Sequence, residues 1–217
     1  PSADLNQSTR SDFSVNTNES SVNLGRYGPG NYFGEMALIS DLPRSASVIS
    51  RGKSILLSIE KKSFRELFLS DQKVLAEFQL RVLQDKAELS HLLSHPKGLA
   101  AFRQFLETSL ANENLEFWED CNAFRQSTFS SITDLNNAAN AIYDKYCKED
   151  SAEEVNIPSI LRTALQDKIG NNKLSLDMFE DAQKEIYKVM SQDNYKRFKA
   201  SQDFTSFFEQ LGIVLNK

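Results

Sequence analysis

The sequence predicts a mixed, mostly helical protein in which a short part with β-strands precedes an all-α part. Two short apolar runs, at 47–49 and 54–59, lie on either side of Gly52 and are typical of strands. From residue 97 onward, large apolar residues recur every three or four positions, and no alternating stretch interrupts this helical period. Pro96 lies between the two patterns and indicates a boundary between them.

Length and composition exclude several classes of protein. The chain has 217 residues, enough for one or two domains, and its 40% hydrophobic and 25% charged residues are typical of a soluble globular protein. No apolar run approaches the roughly 20 residues that span a bilayer, and no signal-peptide pattern opens the chain. Because it begins with Pro1 rather than methionine, we expect a fragment or a processed piece. Cys121 and Cys147 are expected to be reduced core residues of a cytoplasmic protein.

Charge is distributed unevenly between the two parts. Residues 1–95 carry 11 basic and 11 acidic side chains, whereas residues 96–217 carry 14 and 19 and supply the whole net charge of −5. Nucleic-acid binding requires clustered Lys and Arg, so no nucleic-acid partner is expected.

The N-terminal part contains a turn and a short helix with the chemistry of an anion cradle. Residues 1–27 are rich in Ser and Asn, and 12–24 are compatible with either a hairpin or a disordered lead-in. After a turn at 28–30, one helical turn is predicted at Met36–Ile39, close to Arg44. Free N–H groups at a helix start and one guanidinium suit an anion, and the Glu35 carboxylate can accept hydrogen bonds from a sugar hydroxyl.

The stretch FGEMALISDLPRSASV resembles the phosphate-binding cassette of cyclic-nucleotide-binding domains. The resemblance implies that Glu35 binds the ribose 2′-hydroxyl and Arg44 the cyclic phosphate. It also implies backbone contacts from small residues at Gly34, Ala37 and Ala46.

The same resemblance implies cAMP or cGMP as a regulatory ligand, with no required cofactor. Ser45 occupies a position at which family members with a hydroxyl side chain show a slight preference for cGMP. Complete domains of this family have several strands before the cassette. We therefore expect residues 1–70 to hold the second half of such a domain, a partial β-roll. A cassette without a working pocket is an equally weighted alternative.

Residues 71–95 are predicted to connect the two parts. Ser63 to Glu66 reads as a capping box that opens a short helix, and a longer helix is predicted from Asp71 to about residue 93. Its apolar residues follow a 3.5-residue spacing, which fits packing on the neighbouring domains or a dimer seam. His91 and His95 are four residues apart but lack a third ligand, so a surface or core pair is expected rather than a metal site.

The helical part is centred on the stretch NENLEFWED at 112–120. Asn112 is predicted to cap a helix through its side-chain oxygen, and Glu113 suits the positive end of that helix. The large apolar residues that follow, Leu115, Phe117 and Trp118, are expected in the core.

Four pieces of this part, GLAAFRQFLE, NENLEFW, EEVNIP and VMSQDNYKRF, resemble in order the regulator of G-protein signalling (RGS) domain. The resemblance covers Leu93 to Leu211 and places the domain at 96–217. It implies a nine-helix bundle of two subdomains that acts as a GTPase-activating protein for heterotrimeric G-protein α (Gα) subunits. Such a protein is not itself an enzyme, because it supplies no nucleophile or base.

The resemblance also implies which residues contact Gα. Asn156 is implied to lie nearest the catalytic glutamine of Gα, and Asp193 to reach a backbone N–H or hydroxyl of its first switch. The other implied contacts are Glu113, Asn114, Val189, Asn194 and Arg197. Val189 and Asn194 stand where leucine and serine are common, which bears on Gα subtype.

Two other functions remain open at this point. The bundle can act as a non-catalytic scaffold, or the chain can be a cyclic-nucleotide sensor that uses the bundle only to bind a partner. Under each function the protein is expected in the cytoplasm, recruited by its partner to the inner face of the plasma membrane.

Overall fold

The computed structural model describes residues 25–39, 43–44, 46–68 and 71–215. Within these ranges the structure is mostly helical, and no described helix is long and apolar enough to cross a membrane. The helices are α1 (Met36–Ile39), α2 (Lys61–Phe68), α3 (Gln72–Leu83), α4 (Leu89–Leu93), α5 (Pro96–Thr108), α6 (Glu113–Gln126), α7 (Ile132–Ile142), α8 (Ser159–Gly170), α9 (Glu180–Val189), α10 (Tyr195–Ala200) and α11 (Gln202–Gln210).

The predicted partial β-roll is not seen, although the predominance of helix is confirmed. The runs at 47–49 and 54–59 form no strand in the described part of the chain. Ile49, Ile55 and Leu57 are 84%, 88% and 101% exposed, and no strand among the described residues covers them. A strand is stabilised by hydrogen bonds and side-chain pairs with a neighbour, which an apolar pattern alone does not supply. The hairpin considered at 12–24 lies outside the described residues.

The predicted connecting helix is interrupted. Asp71 caps α3, since its carboxylate accepts from the backbone N–H groups of Lys73 and Val74 at 2.9 and 3.2 Å. The helix then ends at Leu83, and Gln84, with a positive φ of 49°, begins a short 3₁₀ turn. The prediction of one helix to residue 93 is therefore wrong. The capping box at Ser63 is also wrong, because α2 already begins at Lys61.

A tight corner joins α4 to α5. His95 caps α5, with Nδ1 accepting from the Gly98 backbone N–H at 3.2 Å, and Pro96 occupies the first turn, where no backbone N–H is needed. His91 accepts from the Glu88 backbone N–H within a capping box that opens α4. Both histidines therefore have structural roles, as expected.

The bundle consists of two groups of helices. In the first, α5 packs against α4, α10 and α11 around an aromatic core. Phe102 and Phe204 both meet Phe198 edge-on, with ring centroids 5.4 and 5.5 Å apart. In the second group, α6 packs against α7 and α9, and α7 packs against α8. A π-helical turn, Met190–Asn194, joins α9 to α10 and links the groups.

Residues of the connecting segment belong to the same core. Leu80, Leu89 and Leu92 are fully buried in the cluster that extends through α11. The Tyr195 hydroxyl donates to the buried Ala87 carbonyl at 2.6 Å, and the Lys199 ammonium contacts the Asp85 carbonyl. These contacts fix the segment before α4 against α10.

Candidate partner-binding site

The antiparallel packing of α6 and α9 forms one side of the candidate site. Phe124 near the end of α6 meets Phe179 just before α9, with ring centroids 5.4 Å apart. Trp118, earlier in α6, lies 6.5 Å from Tyr187 near the end of α9. The C-terminal end of α9, including Val189, therefore lies beside the N-terminal end of α6.

A buried glutamine fixes this pairing. Gln183 of α9 is 5% exposed, and its amide nitrogen donates to the Trp118 carbonyl at 2.8 Å and to Asn122 Oδ1 at 2.9 Å. Its amide oxygen accepts from Arg125 at 2.7 Å. Because a buried amide is costly to leave unpaired, this network defines a single register for the two helices.

The loop at 148–158 approaches the same end of α6. Tyr146, in a π-helical turn that extends α7, packs edge-on against Phe117 at 5.5 Å and donates to Asp120 Oδ2 at 2.6 Å. The Tyr146 carbonyl accepts from the Val155 N–H at 2.9 Å. Asn156 follows directly and is exposed.

Electrostatic contacts connect the loop to α6. The Lys145 ammonium lies 3.2 Å from Glu153 of the loop, 3.5 Å from Glu116 and 3.8 Å from Asp120 of α6. Hydrogen bonding with Tyr146, and then with Glu153, holds the pKa of Lys145 above its usual range. Each pair is partly exposed and weak on its own, but the shared cation places three carboxylates around one point.

The first turn of α6 carries two predicted site residues. Glu113 and Asn114 are half-buried, and the Asn114 amide donates to Glu113 Oε1 at 2.8 Å. Asn112 does not cap the helix as predicted, since it has helical dihedral angles and makes no capping hydrogen bond. Its amide donates instead to Glu116 at 2.7 Å, which is the main reason that the pKa of Glu116 is lowered.

The π-helical turn and α10 carry the remaining predicted contacts. Asp193 and Arg197 are exposed and lie one helical turn apart, with a carboxylate–guanidinium distance of 3.7 Å. Val189 is 36% exposed. Asn194, in contrast, is 4% exposed, and its amide oxygen finds no hydrogen-bond partner among the described residues. Asn194 therefore lies beneath the exposed residues of this surface and is not itself exposed.

The cyclic-nucleotide cassette is placed only in part. Gly34 has a φ of +84° and leads into α1, where the Ala37 N–H donates to the Gly34 carbonyl at 3.2 Å. Arg44 is exposed and forms no ion pair with any described residue. Glu35 is half-buried, Ala46 is exposed, and Ser45 lies outside the described residues.

The two cysteines of the bundle lie in its core rather than at its surface. Cys121 and Cys147 are buried free thiols, and burial raises the pKa of both, that of Cys147 to about 12. In the described ranges no three His, Cys, Asp or Glu side chains are grouped as metal ligands. Among the predicted contact residues, the Asn156 amide and the Asp193 carboxylate are exposed.

Sequence reasoning missed Gln183 and Lys145, which support the site. Gln183 lies on the apolar face of α9 with Phe179 and Ile186, and a polar residue at such a position is a signal that it meets a buried partner. Lys145 has no comparable local signal, because its partners lie on α6 and in the loop.

Comparison with known proteins identifies the class. Residues 88–207 match the model of the regulator of G protein signaling domain, and residues 12–71 match that of the cyclic nucleotide-binding domain. The first match covers more than half of the chain, and the chain belongs to the regulator of G-protein signalling family. Both resemblances predicted from sequence are therefore confirmed.

Similar individual proteins carry the same family name. The chain is 32% identical over 158 residues to human regulator of G-protein signaling 18, covering 70% of this chain and 66% of that protein. It is 35% identical over 119 residues to human regulator of G-protein signaling 8, covering 55% and 64%. The matched regions thus span just under two thirds of each relative.

Proposed function

We propose that this chain accelerates GTP hydrolysis by heterotrimeric Gα subunits and supplies no nucleophile or base of its own. The observation that carries the proposal is the meeting of three polar segments at the N-terminal end of α6. These are the start of α6, the loop with Asn156, and the turn that leads from α9 into α10. Membership of the regulator of G-protein signalling family supports it.

The mechanism requires rigidity rather than reactive groups. Gα holds its own glutamine and arginine for hydrolysis, so a partner can act by fixing the switch segments. A partner that binds the transition-state arrangement more tightly than the ground state lowers the barrier. The buried network of Gln183 and the aromatic core keep the exposed contacts in place before binding, which lowers the entropic cost of association.

In this proposal each exposed group has a separate role. Asn156 contacts the catalytic glutamine of Gα, and Glu113 and Asn114 contact its switch segments. Asp193 accepts a hydrogen bond from the first switch, and Arg197, 3.7 Å away, orients its carboxylate. Val189 and the buried Asn194 shape the surface and bear on Gα subtype.

Single-turnover GTP hydrolysis over a panel of Gα subunits tests the proposal. We expect the unmodified chain to accelerate hydrolysis, and Asn156→Ala to reduce the acceleration about 100-fold, since it removes a group positioned for the transition state. Asn137→Ala, at an exposed position of α7, is the matched control and should have no effect.

Two results would contradict the proposal. One is the absence of acceleration with every Gα, together with no binding to the aluminium-fluoride state. The other is equal affinity for the GDP and aluminium-fluoride states, which would favour the scaffold function.

We also propose cAMP or cGMP as a regulatory ligand of the N-terminal part. The match of residues 12–71 to the cyclic nucleotide-binding domain favours this, as does the exposed Arg44 guanidinium, which no described carboxylate neutralises. Isothermal titration calorimetry with each nucleotide should give binding that Arg44→Ala weakens at least about tenfold, because a charge-assisted phosphate contact is lost. Arg51→Ala, an exposed control, should leave affinity unchanged. Equal affinity of the Arg44→Ala variant would rule out the assigned role.

A further inference from the structure

The loop that presents Asn156 is held from both sides of that residue. Val155 and Ile157 are 0% and 4% exposed, so the two neighbours of Asn156 are anchored in the core. The Ile157 N–H also donates to the Val155 carbonyl at 3.0 Å. Residues 149–154 lead into this tight turn, and side-chain contacts hold them as well.

One cation from α8 fixes those preceding residues. The Arg162 guanidinium donates through Nη2 to Glu154 Oε1 at 2.7 Å, and Nη1 lies 3.7 Å from Glu149 Oε1. The other oxygen of Glu154 accepts from the Asp150 N–H at 3.0 Å, where the backbone has a φ of +60°. Both oxygens of the Glu154 carboxylate are therefore occupied, two residues before Asn156.

The burial of Arg162 distinguishes this contact from an ordinary surface ion pair. Its side chain is only 14% exposed, whereas Lys145 and Lys184, which form other ion pairs, are 41% and 66% exposed. Screening by solvent and salt is weaker for such a partly enclosed pair. The hydrogen bond from Arg162 is also the main cause that lowers the pKa of Glu154.

We propose that Arg162 is a positioning residue for GTPase activation, which acts by holding the Glu154 carboxylate and so fixing the backbone that carries Asn156. The inference rests on the proposed function, because it assigns Arg162 a role in the contact made by Asn156. Arg162 itself lies behind the loop and is not assigned a contact with Gα.

A double-mutant cycle tests whether Arg162 acts through Asn156. The measured quantity is the dissociation constant for Gα bound to GDP and aluminium fluoride. Arg162→Met should weaken binding about tenfold in the unmodified chain, since a misplaced contact loses transition-state affinity. In an Asn156→Ala background the same change should weaken binding less than about twofold. Equal weakening in both backgrounds would show that Arg162 acts elsewhere and would overturn the inference.

Two further variants separate positioning from loss of charge or of folding. Lys184→Met removes an exposed cation from α9, at a position 66% exposed, and should leave binding unchanged in both backgrounds. Glu154→Gln keeps the size of the side chain but removes the ionised acceptor, and should reproduce the effect of Arg162→Met. If the Glu154→Gln variant binds Gα as tightly as the unmodified chain does, the proposed positioning role of the Arg162–Glu154 contact is wrong.

Hydrogen exchange of the chain alone distinguishes failure of this inference from failure of the proposed function. Arg162→Met should accelerate amide exchange at 150–157 while exchange in α5 and α6 stays unchanged. Unchanged exchange in the loop would overturn the inference even if the chain activates Gα. If the unmodified chain binds no Gα, the proposed function fails, and the role of Arg162 in activation fails with it.

Discussion

At the residue scale, His95 couples the start of α5 to pH. Its Nδ1 accepts from the Gly98 N–H, which requires an unprotonated nitrogen, and burial lowers the pKa of the imidazole below 6.5. Below pH 6.5 the unfolded chain therefore binds more protons at this residue than the folded chain. The stabilisation from His95 is complete above that pH and is lost as the pH falls toward the folded-state pKa.

We predict that His95→Asn makes the free energy of unfolding less sensitive to pH between 7.5 and 5.5. Asparagine keeps an acceptor at the cap but does not titrate in this range. Denaturant melts of both proteins at the two pH values give the free energies of unfolding. The difference between the two proteins at pH 7.5 gives the loss of stability caused by the substitution itself. An equal loss of stability in both proteins would exclude His95 as the titrating group.

At the element scale, the corner between α4 and α5 depends on the lack of a side chain at Gly98. A Cβ there would lie 2.6 Å from the Leu92 carbonyl oxygen and 2.9 Å from a Leu92 methyl group. Although alanine favours helix over glycine by up to about 1 kcal/mol, overpacking costs about 1–3 kcal/mol. Gly98→Ala should therefore lower the free energy of unfolding, by about 1–2 kcal/mol net.

Gly170→Ala is the comparison, because Gly170 is the last residue of helix α8 and has nothing within 4 Å of the added Cβ. It should be neutral or stabilise the protein by up to about 1 kcal/mol. Chemical denaturation of the two variants gives the sign directly. A Gly98→Ala variant as stable as Gly170→Ala would mean that the α4–α5 corner tolerates displacement.

The elements that sequence predicted well are those specified by local pattern. The periods of Phe102, Phe105 and Leu106 in α5, and of Ile186 in α9, correctly predict the buried faces of those helices. The start of the longer helix at Asp71 is also predicted correctly, and the cap there depends on residues only two and three positions away. The helical character of the bundle follows from such short-range signals.

The features that sequence did not predict depend on distant partners or on one backbone angle. The run at 54–59 has strand composition but forms no strand without a neighbouring strand. The break at Gln84 requires a positive φ that nothing in its side chain indicates. In the candidate site, exposed residues such as Asn156 were predicted by resemblance. The network of Gln183 was missed because its partners are about 60 positions away, as in its 2.9 Å contact with Asn122.

At the scale of the whole molecule, the connecting segment and the bundle have one continuous core. Leu80 of α3 is fully buried in the cluster that reaches Ile213, although it lies outside the predicted bundle. Since a contiguous core favours cooperative unfolding, α3 should not unfold separately from the bundle. Trp118, half-buried 6.5 Å from Tyr187, provides a fluorescence probe in the second group of helices.

We predict that Leu80→Ala lowers the free energy of unfolding by about 2–5 kcal/mol, the cost of a cavity at a closed site. The whole Trp118 transition should move to lower denaturant concentration with the same slope, because the loss is shared by one cooperative unit. Leu57→Ala, at a position that is 101% exposed, is the control and should shift stability by no more than about 0.5 kcal/mol. If α3 is instead an independent linker, Leu80→Ala would change helical circular dichroism while leaving the Trp118 transition in place. A shared transition would mean that α3 unfolds as one unit with the segments that carry Asn114 and Asp193.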